Sequence, residues 1–272
     1  MSSYDLAVIG SGPGGYIAGI RAAQLGMQVA IVEEDRLGGV CLNWGCIPTK
    51  AILKAAEQFS EVKAGVPGLV VDGLRADYGA VIDASRKAAD RLSKGVASLM
   101  KKNRIEVVSG RGCLAGTGRV QVSGAEGEQT IEARHVLLAT GSTEFILPGL
   151  DVDGERVLTS REALESRQLP EKLVVIGGGA VGLEFAYSYA AYGVEVTVVE
   201  MQDQLLPGFD AEIAQALAKS FARRKVKVLT GTAYKGLERN GKGVAVTIEG
   251  EKGEQTLQAD QILFGIGRRA QV

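Results

Sequence analysis

The sequence predicts an α/β protein built from two doubly wound, parallel-sheet domains, each with a small antiparallel β-meander. Three observations predict it. A strand, glycine turn, helix, strand unit occurs twice, its copies 167 positions apart (Gly10 and Gly177, Glu33 and Glu200). Each copy is followed by alternating apolar runs and then by an apolar strand that leaves through glycine. The chain has 272 residues, 37 of them Gly against 6 Pro, which suits tight turns and close backbone approaches rather than linkers.

Taken in order, Leu6 to Ile9 reads as a short buried strand. Tyr16 to Leu25 reads as an Ala-rich helix closed by Gly26 at C′. Val29 to Val32 is the next strand, ending at Glu33, so the unit is βαβ and its strands are parallel. Val81, Ile82, Ser85, Ala88, Ala89, Leu92, Val96, Leu99 and Met100 recur at three- and four-residue steps, while Asp83, Arg86, Lys87, Asp90, Arg91 and Lys94 face away. That is an amphipathic helix covering a sheet. Arg119 to Val122 and Gln129 to Glu132 read as a meander with Gly turns, and His135 to Ser142 as a separate buried strand with a glycine exit. Leu147 to Pro170 connects to the second copy. There Leu173 to Ile176 is a strand, Leu183 to Tyr192 a helix closed by Gly193, and Glu195 to Val199 a strand ending at Glu200. A second meander (Val244 to Ile248) and a strand with its exit (Gln261 to Gly267) complete the repeat. Cys113 reads as a small core residue and His135 as structural.

The charge balance excludes some partners. Lys+Arg 31 against Asp+Glu 32 leaves a net charge of -1, with no basic excess for nucleic acid or an anionic membrane. No apolar run reaches the roughly 18 residues that span a bilayer. Met1 to Asp5 lacks a signal-type core, and 3 Cys are too few for a disulfide scaffold. The expectation is a soluble cytoplasmic protein with reduced thiols and no metal site.

The glycine turns carry the first chemistry. Gly10, Gly12 and Gly15, and again Gly177, Gly179 and Gly182, fit G-x-G-x-x-G. The first glycine allows the turn, the second lets backbone approach a pyrophosphate, and the third lets helix pack on strand. The helix N-terminus adds N–H groups and partial positive charge. Glu33 and Glu200, each 23 positions after the first glycine, can accept hydrogen bonds from an adenosine ribose. These are Rossmann-like dinucleotide sites. Glu200 repels a 2′-phosphate, and Met201, Gln202, Asp203 and Gln204 offer no cation for one, so the second site should prefer NAD to NADP.

The second chemistry lies in Gly38 to Lys50. Cys41 and Cys46 stand five positions apart at a helix start. A thiol there faces the positive dipole end, which favours the thiolate. An ideal helix would keep the pair out of disulfide reach, whereas a distorted first turn could close it. A redox-active disulfide and two buried structural cysteines are the alternative readings of the spacing alone.

The runs Gly10 to Tyr16, Gly38 to Lys50, Ala139 to Ser142, Gly177 to Phe185 and Gly265 to Arg269 together resemble the flavoprotein pyridine nucleotide–disulfide oxidoreductases, and within them the members that oxidise dihydrolipoamide. The resemblance implies FAD on the first glycine turn, with Glu33 on its ribose, and NAD on the second. It implies cofactor contacts for Gly10, Gly12, Gly14, Gly15, Glu33, Gly39, Lys50, Thr140, Gly141, Gly177, Gly179, Ala180, Val181, Gly182, Glu200 and Gly267. Cys41 would exchange with the substrate dithiol and Cys46 would lie against the flavin. Lys50 would sit near flavin N5, paired as a buried lysine with Glu184. The implied domains are 1–149 for FAD and 150–272 for NAD, in a full-length homodimer serving the lipoyl domain of a 2-oxo acid dehydrogenase complex. The family pattern runs on past this chain, through a last FAD-domain strand, an interface domain and a His–Glu pair, so an N-terminal fragment is expected. The other readings are a related disulfide or metal-ion reductase and a non-catalytic FAD/NAD-binding fragment.

Overall fold

A computed structural model describes residues 2–125, 127–241 and 243–272. In chain order the elements are β1 (Ser2–Ile9), α1 (Pro13–Gln24), β2 (Val29–Glu33), α2 (Gly39–Asn43), α3 (Cys46–Ala64), α4 (Tyr78–Lys102), β3 (Glu106–Ser109), β4 (Arg111–Leu114), β5 (Arg119–Gly124), β6 (Gly127–Leu138) and β7 (Ser142–Glu144). They continue with β8 (Val157–Thr159), α5 (Ser160–Ala163), β9 (Lys172–Ile176), α6 (Ala180–Ala191), β10 (Glu195–Val199), α7 (Ala211–Arg223) and β11 (Lys227–Leu229). Last come β12 (Ala233–Asn240), β13 (Gly243–Gly250), β14 (Gly253–Ala259), β15 (Gln261–Phe264) and β16 (Arg268–Ala270), which pairs with β7.

Two compact units result. One comprises Met1–Pro48, Arg86–Thr143 and Ala270–Val272, and the other Thr49–Ser85 and Glu144–Arg269. They interleave along the chain instead of dividing at 149/150. The reason is packing: Ile52, Tyr78 and Ile82 share one core with Leu158, Phe185 and Tyr189.

The first unit holds a six-stranded sheet in the order β3-β2-β1-β6-β5-β4. Its period-2 burial divides neatly. Ala7, Ile9, Ala30, Val32, Val108, Val120 and Val122 line one face, and Val8, Val29, Ile31, Val96 and Met100 pack on the other. β6 corrects the sequence reading. The meander strand and the supposed buried strand are one continuous 12-residue element. Ser2 to Ile9 pair with Ile131 to Leu138 in parallel, while Glu132 to Gly127 pair antiparallel with β5. Nothing in Ala133–Arg134 breaks the extended chain, so the meander extends the main sheet. Its far half is not buried: Leu138 is 57% exposed and His135 is exposed. Cys113 is likewise exposed, because β4 is the edge strand. Leu92 and Leu99 on α4 also stay exposed, although the stripe placed them inward.

In the second unit β11-β10-β9-β15-β8 form an all-parallel sheet, and β12-β13-β14 form a separate antiparallel one. Val244, Val246 and Ile248 of the latter pack with Val174, Ile176, Ile262 and Phe264. β8 and α5 fall inside the stretch read as a connection; three residues are too few to show a period. α1 and α6 each begin three residues earlier than the apolar pattern suggests, because the residues after the second glycine are already helical. Gly26 (φ 91°) and Gly193 (φ 96°) close these helices as expected.

Asp153 fastens the entry to β8. Its Oδ1 accepts the N–H groups of Glu155 (2.9 Å), Arg156 (2.7 Å) and Val157 (2.8 Å), and Oδ2 meets Arg239 Nε at 3.1 Å. Burial pushes its pKa up, but these donors outweigh it and hold the carboxyl at about 2 against 3.8. A depressed folded pKa stabilises above the unfolded value and is lost as pH falls. Asp153→Ala should therefore cost about 1 kcal/mol at neutral pH, the partly exposed pair being discounted for screening. The deficit should shrink between pH 3.8 and about 2. Urea melts of both forms across that window check it; an unchanged deficit would refute the assignment.

Candidate functional site

The two glycine turns are built alike. A Cβ on Gly10 would lie 2.2 Å from the Ala139 carbonyl oxygen, and one on Gly177 would lie 2.5 Å from that of Gly265. The exits Thr140–Gly141 and Ile266–Gly267 are thereby held against the first glycine of their own turn. A Cβ on Gly15 would lie 1.9 Å from Gly10 O, and one on Gly182 2.1 Å from Gly177 O. The second glycines differ: around a Cβ on Gly12 or Gly179 there is nothing within 4 Å. Among the described residues nothing requires glycine at those two positions, and the space suits a pyrophosphate. Gly14, Gly141 and Gly267 also face open space.

Capping separates these two helices from α5 and α7. Gly12 and Gly179 are the N-caps of α1 and α6, and no side chain caps either helix. By contrast Asp210 caps α7, and Thr159 with Glu162 forms a capping box on α5. The exposed Ala180 and half-buried Val181 thus present N–H groups that an anion can take.

Glu33 and Glu200 serve a structural purpose as well. Glu33 Oε2 accepts from Ser11 N (2.9 Å) and Ser11 Oγ (2.5 Å), and its Oε1 accepts from Asp35 N (2.9 Å). Glu200 Oε2 accepts from Gly178 N (2.6 Å) and Oε1 from Gln202 N (2.8 Å). The partners correspond at the same 167-residue offset. Each acid clamps its turn and keeps lone-pair capacity on Oε1 for a ribose hydroxyl. Sequence reasoning missed Ser11, whose hydroxyl also accepts from Gly38 N at 3.2 Å. Its position between two glycines was the available signal.

The cysteine loop closes on the first turn. Gly38 (φ 98°) and Gly39 (φ 57°) are left-handed, and a Cβ on Gly39 would lie 2.7 Å from Gly12 Cα. Asn43, 1% exposed, donates to the carbonyls of Leu37 (3.1 Å) and Gly39 (3.0 Å). Cys41 lies in α2, and Cys46 is the first residue of α3. Between them the helix breaks at Trp44–Gly45. A Cβ on Gly45 would lie 3.0 Å from Val40 O and 3.5 Å from Cys41 Cα, so glycine lets the chain fold back over Cys41. Both cysteines are thiols here, half-buried and exposed respectively.

In the second unit Lys50 Nζ meets Glu184 Oε1 at 2.7 Å, with side-chain exposures of 61% and 29%. The lysine is therefore not the buried one expected, and the pair contributes at most about 1 kcal/mol to stability. Glu184 also lines a cleft of about 380 Å³ with Leu53, Ala180, Leu183, Leu217 and Phe221. Among the described residues no cluster of His, Cys, Asp and Glu could hold a metal ion, and no helix is long and apolar enough to cross a membrane.

Comparison with known proteins places this geometry in a lineage. The chain is 45% identical over 255 residues to a dihydrolipoyl dehydrogenase of Zymomonas mobilis subsp. mobilis, covering 93% of this chain and 55% of that protein. It is 42% identical over 270 residues to the dihydrolipoyl dehydrogenase of Chlorobaculum tepidum, covering 98% and 57%. The solved structure of LpdA from Mycobacterium tuberculosis superposes with a TM-score of 0.88 at 31% identity, covering 98% of this chain and 59% of that one. That of the HOCl-induced flavoprotein disulfide reductase RclA from Escherichia coli gives 0.83 at 25%, covering 99% and 57%. The chain thus spans little more than half the length of these relatives. Residues 4–272 match the pyridine nucleotide-disulphide oxidoreductase family, and the chain, with its two acid-clamped glycine turns and its cysteine pair, belongs to that family.

Proposed function

We propose that the chain is the two-nucleotide core of an FAD-dependent dihydrolipoamide:NAD⁺ oxidoreductase acting through a Cys41–Cys46 disulfide. One observation carries the reading: the helix break at Gly45 sets the two cysteines in the same loop whose Gly39 abuts Gly12 of the first nucleotide turn. In this reading the turn at Gly10, Gly12 and Gly15 takes FAD and the turn at Gly177, Gly179 and Gly182 takes NAD. The uncapped turns with open space at Gly12 and Gly179 fit the two pyrophosphates. Glu33 and Glu200 take the riboses through Oε1.

The exchange chemistry uses this chain's own sulfurs. A substrate thiolate attacks Cys41 Sγ, forming a mixed disulfide and releasing Cys46 as thiolate. The second substrate thiolate attacks the sulfur bonded to Cys41, closing the cyclic disulfide product and releasing Cys41. Two electrons then reside on the cysteine pair. Bound flavin supplies the relay from that dithiol to the nicotinamide. Lys50, one turn after Cys46 on α3 and fixed by Glu184, contributes a cation toward the flavin.

The dihydrolipoyl dehydrogenase relatives support the substrate and the lipoyl domain of a 2-oxo acid dehydrogenase complex as partner; the reading adds a homodimer and a cytoplasmic location. The test is an anaerobic spectrum of the FAD-reconstituted chain before and after dihydrolipoamide. The reading expects a long-wavelength charge-transfer band, lost in Cys46→Ser. Failure to bind flavin, or flavin indifferent to the dithiol, overturns it. A response to glutathione with NADPH but not to dihydrolipoamide would reassign the substrate.

A further inference from the structure

Trp44, the sole tryptophan, sits between the two cysteines at the break. Its backbone leaves the helix (φ -134°, ψ 19°) while its N–H still reaches Val40 O at 2.8 Å. The side chain is gripped from several directions. Nε1 donates to Asp35 Oδ2 at 2.8 Å. The Arg86 guanidinium faces the ring at 5.0 Å from its centroid and that of Arg36 at 5.9 Å. Arg36 is in turn paired with Asp90 at 2.9 Å. Asp35 is anchored through its own N–H to Glu33. The end of β2 and the face of α4 thus converge on one side chain.

The grip has a geometric consequence. In an unbroken helix, residues five apart are separated by about 7.5 Å along the axis and point to different faces. Cα atoms more than about 7 Å apart do not bridge without backbone movement. A disulfide between Cys41 and Cys46 therefore needs the break, and something must hold the break against the chain's tendency to continue helically from α2 into α3. Leu42 (7% exposed) and Asn43 (1% exposed) are pinned inside, and Gly45 supplies the close approach. Trp44 is the large side chain at the break, and its ring face attracts both guanidiniums.

We infer that Trp44 is a positioning residue that stabilises the Cys41–Cys46 disulfide relative to the dithiol by holding the α2–α3 break. Asp35, Arg36 and Arg86 are its clamp. The inference rests on reading the two cysteines as a redox pair. Releasing the clamp lowers the effective concentration of one thiol at the other, so the disulfide becomes easier to reduce. The equilibrium that reports this is protein disulfide plus two glutathione thiols giving protein dithiol plus glutathione disulfide, which balances in atoms and electrons.

The experiment uses the chain with Cys113→Ser, so that two thiols remain. It is equilibrated in glutathione buffers, trapped with maleimide and counted by mass. Trp44→Ala should shift the equilibrium at least tenfold toward the dithiol, about 30 mV in potential. Trp44→Phe, which keeps a ring for the guanidiniums and loses the Nε1 bond, should fall between, and it serves if the alanine variant does not fold. Val108→Ala, a truncation in the core of the sheet, controls for general destabilisation and should lower the melting temperature without moving the potential. Trp44 variants with the parent's equilibrium, or a Val108→Ala shift as large as theirs, overturn the positioning role alone. A parent that forms no intramolecular disulfide in any buffer overturns the redox-pair reading and this inference with it.

Discussion

Gly15→Ala should unfold the first unit, whereas Gly12→Ala should leave it folded and weaken its nucleotide binding. The two glycines belong to one motif and look equivalent in sequence. Their surroundings differ. A methyl on Gly15 would stand 1.9 Å from Gly10 O, a backbone atom held in its own left-handed turn (φ 99°), so neither side can yield. Overpacking against backbone costs about 3 kcal/mol or more, a large share of a domain's stability. At Gly12 the φ of -63° suits any residue and the methyl would enter open space. The fold should lose less than about 1 kcal/mol as an N-cap glycine becomes alanine. A dinucleotide brought to that space would meet the methyl, and its affinity should fall at least about tenfold, or 1.4 kcal/mol. Gly182→Ala and Gly179→Ala should repeat the contrast in the second unit, where the Gly182 methyl would stand 2.1 Å from Gly177 O. Circular-dichroism melts alongside FAD and NAD titrations separate the outcomes. A Gly12→Ala chain that binds FAD as tightly as the parent would show that the open space is not where the nucleotide goes.

Glu200→Ala should cost about 2 kcal/mol before any nucleotide is considered. The carboxylate is 7% exposed and is the acceptor for two backbone donors, Gly178 N and Gln202 N. Removing it strands the buried Gly178 N–H, at about 1–3 kcal/mol, while the exposed Gln202 N–H can turn to water. The turn that carries Gly179 then loosens, so NAD affinity falls for two reasons at once. Glu200→Gln keeps one acceptor and turns an N–H₂ toward the other donor, so it should lie between parent and alanine. A practical consequence follows for cofactor choice. Replacing Glu200 with a small residue to admit a 2′-phosphate should destabilise the second unit rather than convert it to NADP. Melting and NAD titration of the three forms decide the matter. Glu200→Ala with the parent's melting temperature would mean that water replaces the carboxylate and that its role is in ligand binding alone.

Much of this protein is local, and what is local was legible. Gly15 and Gly182 are set by sterics within a few residues, as are the helix ends at Gly26 and Gly193, whereas Gly10 and Gly177 also meet the distant carbonyls of Ala139 and Gly265. The acids at Glu33 and Glu200 follow from the length of one βαβ unit. The break between Cys41 and Cys46 was not legible in this way: their spacing left open a distorted turn or two structural cysteines. The remainder depends on contacts between residues far apart in the chain, and no short window contains them. β6 could not be seen as one strand, since its two halves are defined by different partners, β1 and β5. Cys113 and His135 have the character of interior residues, yet the edge position of β4 and the open far half of β6 leave them exposed. Thr49–Ser85 joins the second unit only because Ile52, Tyr78 and Ile82 find their core there. Ser11 and Trp44 gain their roles from Glu33, Gly38, Asp35 and Arg86, which folding alone brings to them. Backbone sterics and helical periodicity act within a few residues and so can be read directly; burial and side-chain partnership are set by which surfaces meet, and only the tertiary structure decides that.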